Sequence, residues 1–267
     1  MPGKLIARRE VERGGARVED DLAVEEPLEI RIVGDPIAVT MRTPGDDADL
    51  VLGFLLSEGV IRSVADVGTI AHCGRPGDEG FGNVIDVAPG PGVVLSFEGA
   101  RRGTLTTASC GVCGRRSIED LRARCLPMET RPSLPWTLLA RASERLSEAQ
   151  VAFARTGGLH GAVLLDASGA PLAAAEDVGR HNAVDKVIGA ALRAGALSHA
   201  ALLFVSGRTS FEIVQKAAMG RVPCVAGVSA ASTLAVDLAV AMGITLAGFV
   251  RGDGATLYAH ADRIVRP

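Results

Sequence analysis

A chain of 267 residues can bury the core of one large domain or two ordinary ones, and 48% hydrophobic with 22% charged residues makes it globular and excludes a disordered chain. Aromatics at only 3% leave the core to Ala, Val, Leu and Ile, which suits an α/β protein and argues against a single-strand binder that stacks bases on aromatic rings. A net charge of -3, from 28 basic and 31 acidic residues, gives no general attraction to nucleic acid or to an anionic membrane, and no apolar run reaches the ~18 residues of a membrane span.

The start, Met1 to Glu10, has no long apolar stretch after its charges, so no secretory signal is expected. Five cysteines, an odd number in a chain this long, do not read as a disulfide framework, and a cytoplasmic location is the expectation. Residues 1–22 are charged and lack apolar periodicity, which predicts a loosely held arm. In Leu28-Glu29-Ile30-Arg31-Ile32 apolar and charged residues alternate, Gly34-Asp35-Pro36 supplies a turn, and Ile37, Val39 and Met41 alternate on the way back. That pattern predicts a hairpin. Pro44-Gly45-Asp46-Asp47 then breaks the strand and offers N-cap acids to a helix over 48–57, with Leu50, Val51, Phe54 and Leu55 on one face and Gly59 as its stop. Short strands are expected over 84–87 and 93–97, separated by Pro89-Gly90-Pro91-Gly92.

Three prolines in 126–135 oppose both helix and interior strand and mark a domain boundary. The division is therefore an arm (1–22), a smaller mixed α+β domain (23–125) and a larger α/β domain (126–267). Beyond the boundary, 137–155 reads as one amphipathic helix with Leu139, Ala142, Leu146, Ala149 and Phe153 on one side. Strands over 162–165, 172–174, 201–205, 222–228 and 244–250 alternate with helices over 182–193, 211–219 and 232–242. Such short continuous apolar runs between helices imply a mainly parallel sheet covered on both faces.

The sharpest local feature is Ser109-Cys110-Gly111-Val112-Cys113-Gly114-Arg115-Arg116, a segment too rich in Gly, Ser and Thr to be core. Ser117-Ile118-Glu119-Asp120 has the spacing of a capping box, and the two arginines and the helix start favour the thiolate form. Half of a zinc site completed by His72-Cys73, a thioredoxin-like redox pair, a plain structural pair and a reactive thiol carrying a group all fit this spacing. Cys125 and Cys224 lie in apolar surroundings and are expected to be inert packing residues.

Three polar segments each follow an expected strand and open a helix: Asp177-Val178-Gly179-Arg180-His181-Asn182, Ser206-Gly207-Arg208-Thr209-Ser210 and Ser229-Ala230-Ala231-Ser232. In an open parallel sheet such junctions gather at the carboxyl edge, where helix N-termini with Arg180, Arg208 and Lys186 suit a nucleotide or another phosphorylated ligand. Glu212, three residues after Thr209, also gives that segment the spacing of a capping box. His181, Asn182, Asp185 and Lys186 read either as a catalytic cluster or as one polar helix face with Asp185 and Lys186 solvated. Phe249-Val250-Arg251-Gly252-Asp253-Gly254 reads either as a plain turn or as a loop suited to a guanine and its phosphates.

Several long blocks resemble the formate dehydrogenase accessory sulfurtransferase (FdhD/NarQ) family. They are Glu25 to Ile30, Met41 to Gly45, Gly53 to Gly59, Ser109 to Gly114, Glu176 to Lys186 and Ser206 to Glu212. The resemblance implies a sulfurtransferase that takes persulfide sulfur from a cysteine desulfurase onto the CxxC loop. It then passes the sulfur to the molybdenum bis(molybdopterin guanine dinucleotide) cofactor, bound as substrate, that formate dehydrogenase requires. By position, Cys110 would be the persulfide carrier and Cys113 its helper, and Phe249 to Gly254 would be the cofactor-binding stretch. The resemblance also implies a three-layer αβα fold for the larger domain, similar to cytidine deaminases, and a homodimer. The expected partners are the desulfurase and the formate dehydrogenase catalytic subunit.

A zinc-dependent deaminase is the rival that this fold raises. Pro223-Cys224 lacks a second cysteine three positions on, and His160 lacks a glutamate two after it, so its ligand and base pattern is missing. A second alternative is a non-catalytic cofactor-binding chaperone with a structural metal at the CxxC pair. No metal of the protein's own is expected on the sulfur-carrier reading.

Overall fold

The computed structural model describes residues 5–75, 77, 81–97, 125–128, 133–252 and 254–266. Cys110, Cys113, the capping-box segment after them and Asp253 lie outside the described residues.

The expected arm is instead a hairpin of β1 (Ile6–Arg13) and β2 (Ala16–Ala23). Gly14 and Gly15 both have positive φ, 62° and 84°, as the twist-matched two-residue turn requires. Charges of opposite sign face each other across it, with Arg8 bonded to Asp21 at 3.3 Å and Arg13 to Asp20 at 2.6 Å. The hairpin has no apolar face to leave a periodic signal; its position is held by Arg155, which pairs with Asp21 at 2.7 Å.

The expected hairpin is present as β3 (Glu26–Ile32) and β4 (Asp35–Arg42). Its turn is one residue earlier than expected: Val33 and Gly34 are the turn residues, and Asp35 already pairs with Ile32. Helix α1 (Asp47–Ser57) follows, then β5 (Val67–His72) and β6 (Val84–Pro89). The sheet order is β4-β3-β6-β5, with β3 and β6 parallel and the other pairs antiparallel. Residues 93–97 form no strand; the fourth place is taken by β5, whose Gly- and Thr-containing sequence carried no clear alternation. Asp46 is the N-cap of α1, but in the left-handed region and with no side-chain cap bond. Nor does α1 present a single apolar face. Every residue from Leu50 to Ser57 is buried, because the helix lies inside the protein.

The chain continues with β7 (Leu134–Pro135), α2 (Thr137–Ala149) and α3 (Val151–Thr156). The expected single helix breaks at Gln150, whose ψ of 55° is not helical. The new N-terminus is satisfied from outside: the Glu176 carboxylate accepts from Ala152 N at 2.8 Å and Phe153 N at 2.6 Å. Phe153 is consequently turned outward, 42% exposed.

Next come β8 (His160–Asp166), β9 (Pro171–Asp177), α4 (Arg180–Arg193), β10 (Ala200–Val205), α5 (Phe211–Met219), β11 (Cys224–Gly227), α6 (Thr233–Met242), β12 (Thr245–Arg251), β13 (Gly254–Ala259) and β14 (Ile264–Val265). The order of the larger sheet is β13-β12-β11-β10-β8-β9. The expectation of a mainly parallel sheet is corrected: β10, β11 and β12 are parallel, whereas β8, β9 and β13 join antiparallel. Local apolar runs do not encode strand direction; the short turns before β9 and β13 do.

Leu139, Ala142 and Leu146 of α2 pack with Val163, Phe204 and Ala226 on one face of this sheet. On the other face a continuous apolar cluster runs from Leu203 and Val225 through Val184 and Leu55 to Leu28 and Val87 of the smaller sheet. Helices α1 and α4 cross with backbones in contact: a Cβ on Gly53 would overlap the carbonyl of Asp185, and one on Gly189 the carbonyl of Asp49. No helix among the described residues is long and apolar enough to cross a membrane.

Candidate functional site

The site begins with the segment that joins β9 to α4. Asp177 is fully buried and accepts from Thr43 N (3.1 Å), Gly179 N (2.8 Å) and Asn182 Nδ2 (3.0 Å) while pairing with Lys186 Nζ at 2.8 Å. Lys186 Nζ also donates to Thr43 O at 2.9 Å, and Asn182 Nδ2 to Met41 O at 2.7 Å. One turn on, Asp185 pairs with Lys216 at 2.7 Å and accepts from Ser57 Oγ at 3.2 Å. Burial pushes both carboxyls up, and the lysine beside each opposes that shift. Neither sequence-based reading of this cluster holds. Asn182, Asp185 and Lys186 are neither solvated nor facing a ligand. They are buried and tie α4 to β4 and α1, so Lys186 has no charge to spare for an anion. Only Arg180 and His181, at the start of α4, reach the sheet edge.

Because β8 runs against β10, its first residues meet the carboxyl ends of β9 and β10: His160 pairs with Asp177, and Ala162 with Val205. Around that point stand Arg180, His181 and the segment from Ser206 to Ser210. His181 Nε2 is 2.9 Å from Glu212 Oε2 and 3.4 Å from Ser210 Oγ. Glu212 thus meets a histidine from another helix, and the N-cap of α5 is Ser210 with no side-chain cap bond, so the expected capping box does not form. Burial and the neighbouring charge of Arg208 pull the Arg180 pKa below its ordinary value, with Glu212 opposing. Arg180 Nε is buried and has no hydrogen-bond partner. Arg180, with an unused donor, and the exposed Arg208, whose charge reaches it, suit an anion with several oxygens.

Gly207 sits between two of these groups, its Cβ position 3.5 Å from His160 Nδ1 and 3.6 Å from Arg180 Cδ. Ser206 Oγ accepts from Gly161 N at 2.9 Å and lies 3.4 Å from His160 Nδ1. Burial, then the charges of Arg180 and His181, lower the His160 pKa from its ordinary value. Thr209 is buried, and its backbone pairs with the next junction through Thr209 N to Ala230 O (3.1 Å) and Ser232 N to Thr209 O (3.2 Å). Ser232 caps α6 by accepting from Ala235 N at 3.3 Å, so the third junction is a cap.

Phe249 to Arg251 end β12, and Arg251 pairs with Gly254, the first residue of β13. Phe249 has a φ of 52°, is 49% exposed and donates its N–H to Ser229 O at 3.1 Å. The Val250 side chain is fully buried in the core on the α2 side. β9 and β12 are four strand spacings apart, roughly 19 Å. The structure therefore brings Arg180, His181 and Ser206–Ser210 together, with Phe249 two strands beyond β10 and linked to that segment through the Ser229–Ala230 backbone.

His160, Glu212 and Gln150 belong to this neighbourhood and were not singled out as site residues. Each looks ordinary beside its sequence neighbours, and only the pairing of β8 with β9 and β10 brings His160 to the edge. Cys224 is fully buried on β11, and burial pushes its thiol up to about 12, as expected of an inert packing residue. Cys125 is buried with Sγ 3.2 Å from Ala218 O. His72, considered as a zinc ligand, lies 3.3 Å from Asp47 Oδ2.

This mixed α/β architecture, with several sheets, is similar to the crystal structure of a candidate formate dehydrogenase accessory protein from Desulfotalea psychrophila. The TM-score is 0.75 at 25% identity, covering 99% of this chain and 100% of that one. Curated relatives are nearer in sequence. The chain is 56% identical over 273 residues, 98% of its own length and 95% of the relative's, to the sulfur carrier protein FdhD of Anaeromyxobacter dehalogenans. It is 50% identical over 254 residues, 92% of each chain, to the sulfur carrier protein FdhD of Mycobacterium tuberculosis. The model of the FdhD/NarQ family matches residues 23–265, and the chain belongs to that family.

Proposed function

We propose that this protein is a sulfur carrier in formate dehydrogenase maturation, a sulfurtransferase that works through a cysteine persulfide. The thiolate of Cys110 attacks the outer sulfur of a desulfurase persulfide. The donor's S–S bond breaks, the donor cysteine leaves as thiolate, and Cys110 holds the sulfur as a new persulfide. Cys113, three positions on, assists. The acceptor is the molybdenum bis(molybdopterin guanine dinucleotide) substrate, with its anionic part on Arg180 and Arg208 and the rest extending along the edge toward Phe249, Arg251 and Gly252.

The observation that carries the nucleotide part is the arginine pair at the helix starts, with the buried, unpartnered Nε of Arg180. The sulfur-carrier part is supported by the relatives, which are named sulfur carrier proteins. On this reading the protein works in the cytoplasm as a homodimer, with the desulfurase and the formate dehydrogenase catalytic subunit as partners.

The test is incubation with a cysteine desulfurase and free cysteine, followed by intact mass with and without reductant. A reductant-sensitive gain of one sulfur that is lost in Cys110→Ala is the expected result, and that variant should fold normally but not support formate dehydrogenase maturation. Tightly bound zinc and no gain of sulfur would sink the carrier reading in favour of a cofactor-binding chaperone.

A further inference from the structure

The β1–β2 hairpin holds an unbroken register from Ile6 opposite Ala23 to Arg13 opposite Ala16, yet it meets the rest of the protein through one strand. β2 touches α3, where Arg155 pairs with Asp21 at 2.7 Å and Gly158 packs against Ala23. β1 pairs with no strand other than β2 among the described residues. A hairpin standing apart from a core is marginally stable in water.

Beside the two-residue turn, Arg13 and Ala16 form a hydrogen-bonded pair, so every second residue back along β1 bonds to β2, as far as Leu5 O, which accepts from Val24 N at 3.0 Å. Ile6, Arg8, Glu10 and Glu12 therefore turn their N–H and C=O groups away from β2. Arg8 O accepts from Arg9 Nη1 at 3.0 Å, an exposed contact that a strand partner would replace. Neither proline nor bulge blunts this edge.

The edge is complementary to itself. Under a two-fold axis at Arg9, β1 of a second copy runs antiparallel and places its Glu10 opposite Arg8, its Val11 opposite Ala7 and its Glu12 opposite Ile6. In one hairpin Glu10 faces Glu19, a like-charge pair that costs stability. The Arg8 of the copy supplies the counter-charge. In one hairpin the Leu22–Ala7 and Val18–Val11 pairs are kept apart by Asp20 and Arg9 and make no continuous apolar face. Across the junction Leu22, Ala7, Val11 and Val18 fall in one row over four strands, which covers part of Leu22, 39% exposed in the single chain. Each Arg9 then lies beside the other, and each keeps its own Asp20 opposite. An axis at Glu10 would put four carboxylates in one row.

We propose that the β1 edge is the interface with a second copy of this chain, the two hairpins joining into one four-stranded antiparallel sheet. The inference rests on the homodimer of the reading above and gives it a surface.

Light scattering on the full chain, coupled to size exclusion, tests it. The native chain should have twice the mass of one chain. Glu10→Pro removes an N–H that points away from β2, so the hairpin keeps its own bonds while the junction loses a donor from each copy. That variant should have the mass of one chain and an unchanged far-UV circular dichroism spectrum. A dimeric Glu10→Pro overturns the edge assignment and leaves the homodimer standing on another surface, and a monomeric native chain overturns both. If Glu10→Pro loses its fold, disulfide mapping decides. The two Arg9 form a non-hydrogen-bonded pair with Cα atoms about 4.5 Å apart, within disulfide reach. The two Glu12 lie roughly 20 Å apart along the strands. Mild oxidation of Arg9→Cys should yield a peptide linked through position 9 of both chains, and Glu12→Cys no link through position 12. Absence of the first link, or equal formation of the second, overturns the proposal.

Discussion

Replacing Gly53 by alanine sets two effects of opposite sign against each other. In an isolated helix the change is favourable by about 1 kcal/mol, because alanine loses less backbone freedom. Here α1 crosses α4 at that residue, and the new Cβ would overlap the carbonyl of Asp185, far inside the 3.0 Å that real Cβ contacts keep. Both colliding groups belong to backbone, so no rotamer can yield, and the helices must part by on the order of 1 Å. Parting them loosens the buried Asp185–Lys216 pair and its Ser57 bond, and the Arg193–Asp49 pair that links the two helices at 2.7 Å. Overpacking alone costs about 1–3 kcal/mol, and losing a buried pair costs more. The expected net loss is about 3 kcal/mol, a fall of roughly 6–12 °C in Tm for a chain of this size. Thermal and urea unfolding followed by far-UV circular dichroism would measure it. An unchanged or raised Tm would refute the close crossing. Because α4 carries Arg180 and His181 at its start, GDP affinity should fall in the same variant.

Lys186→Met leaves the Asp177 carboxyl buried without its ammonium and should cost about 3–5 kcal/mol, much of it recovered in Asp177→Asn/Lys186→Met; equal losses in urea unfolding would show that the pair is not coupled. His160 has a pKa below its ordinary 6.5, so the unfolded chain takes up the proton first as pH falls. Its contribution to stability is complete above pH 6.5 and declines below it, and His160→Gln should flatten stability between pH 6.5 and 5; an unaltered pH profile would count against a buried neutral ring. Cys224, with its thiol pushed up to about 12, should resist alkylation at pH 8 in the folded protein and react on unfolding, as peptide mass mapping would show.

The elements that could be read from the chain are those whose apolar residues repeat with a local period: the hairpin of β3 and β4, the helices α4, α5 and α6, and the strands β10 to β12. The grouping of the junctions after β9 and β10 at one edge followed from the alternation of strands and helices. What the pattern missed was set at a distance. The β1–β2 hairpin is charged on both faces and shows no period. The break at Gln150 depends on a carboxylate from β9, and the antiparallel course of β8 brings His160 to an edge it was not assigned to.

The charged residues divide most clearly between the two levels. Sequence alone placed Asp185 and Lys186 in the first turns of a helix expected over 182–193 and Arg180 and His181 in the segment that opens it; the helix in fact starts at Arg180. Only the tertiary structure decided that Arg180 and His181 reach the sheet edge and that Asp185 and Lys186 are buried. A lysine is stable inside a protein only where acceptors await it, and Lys186 finds one in Thr43, 143 positions earlier in the chain.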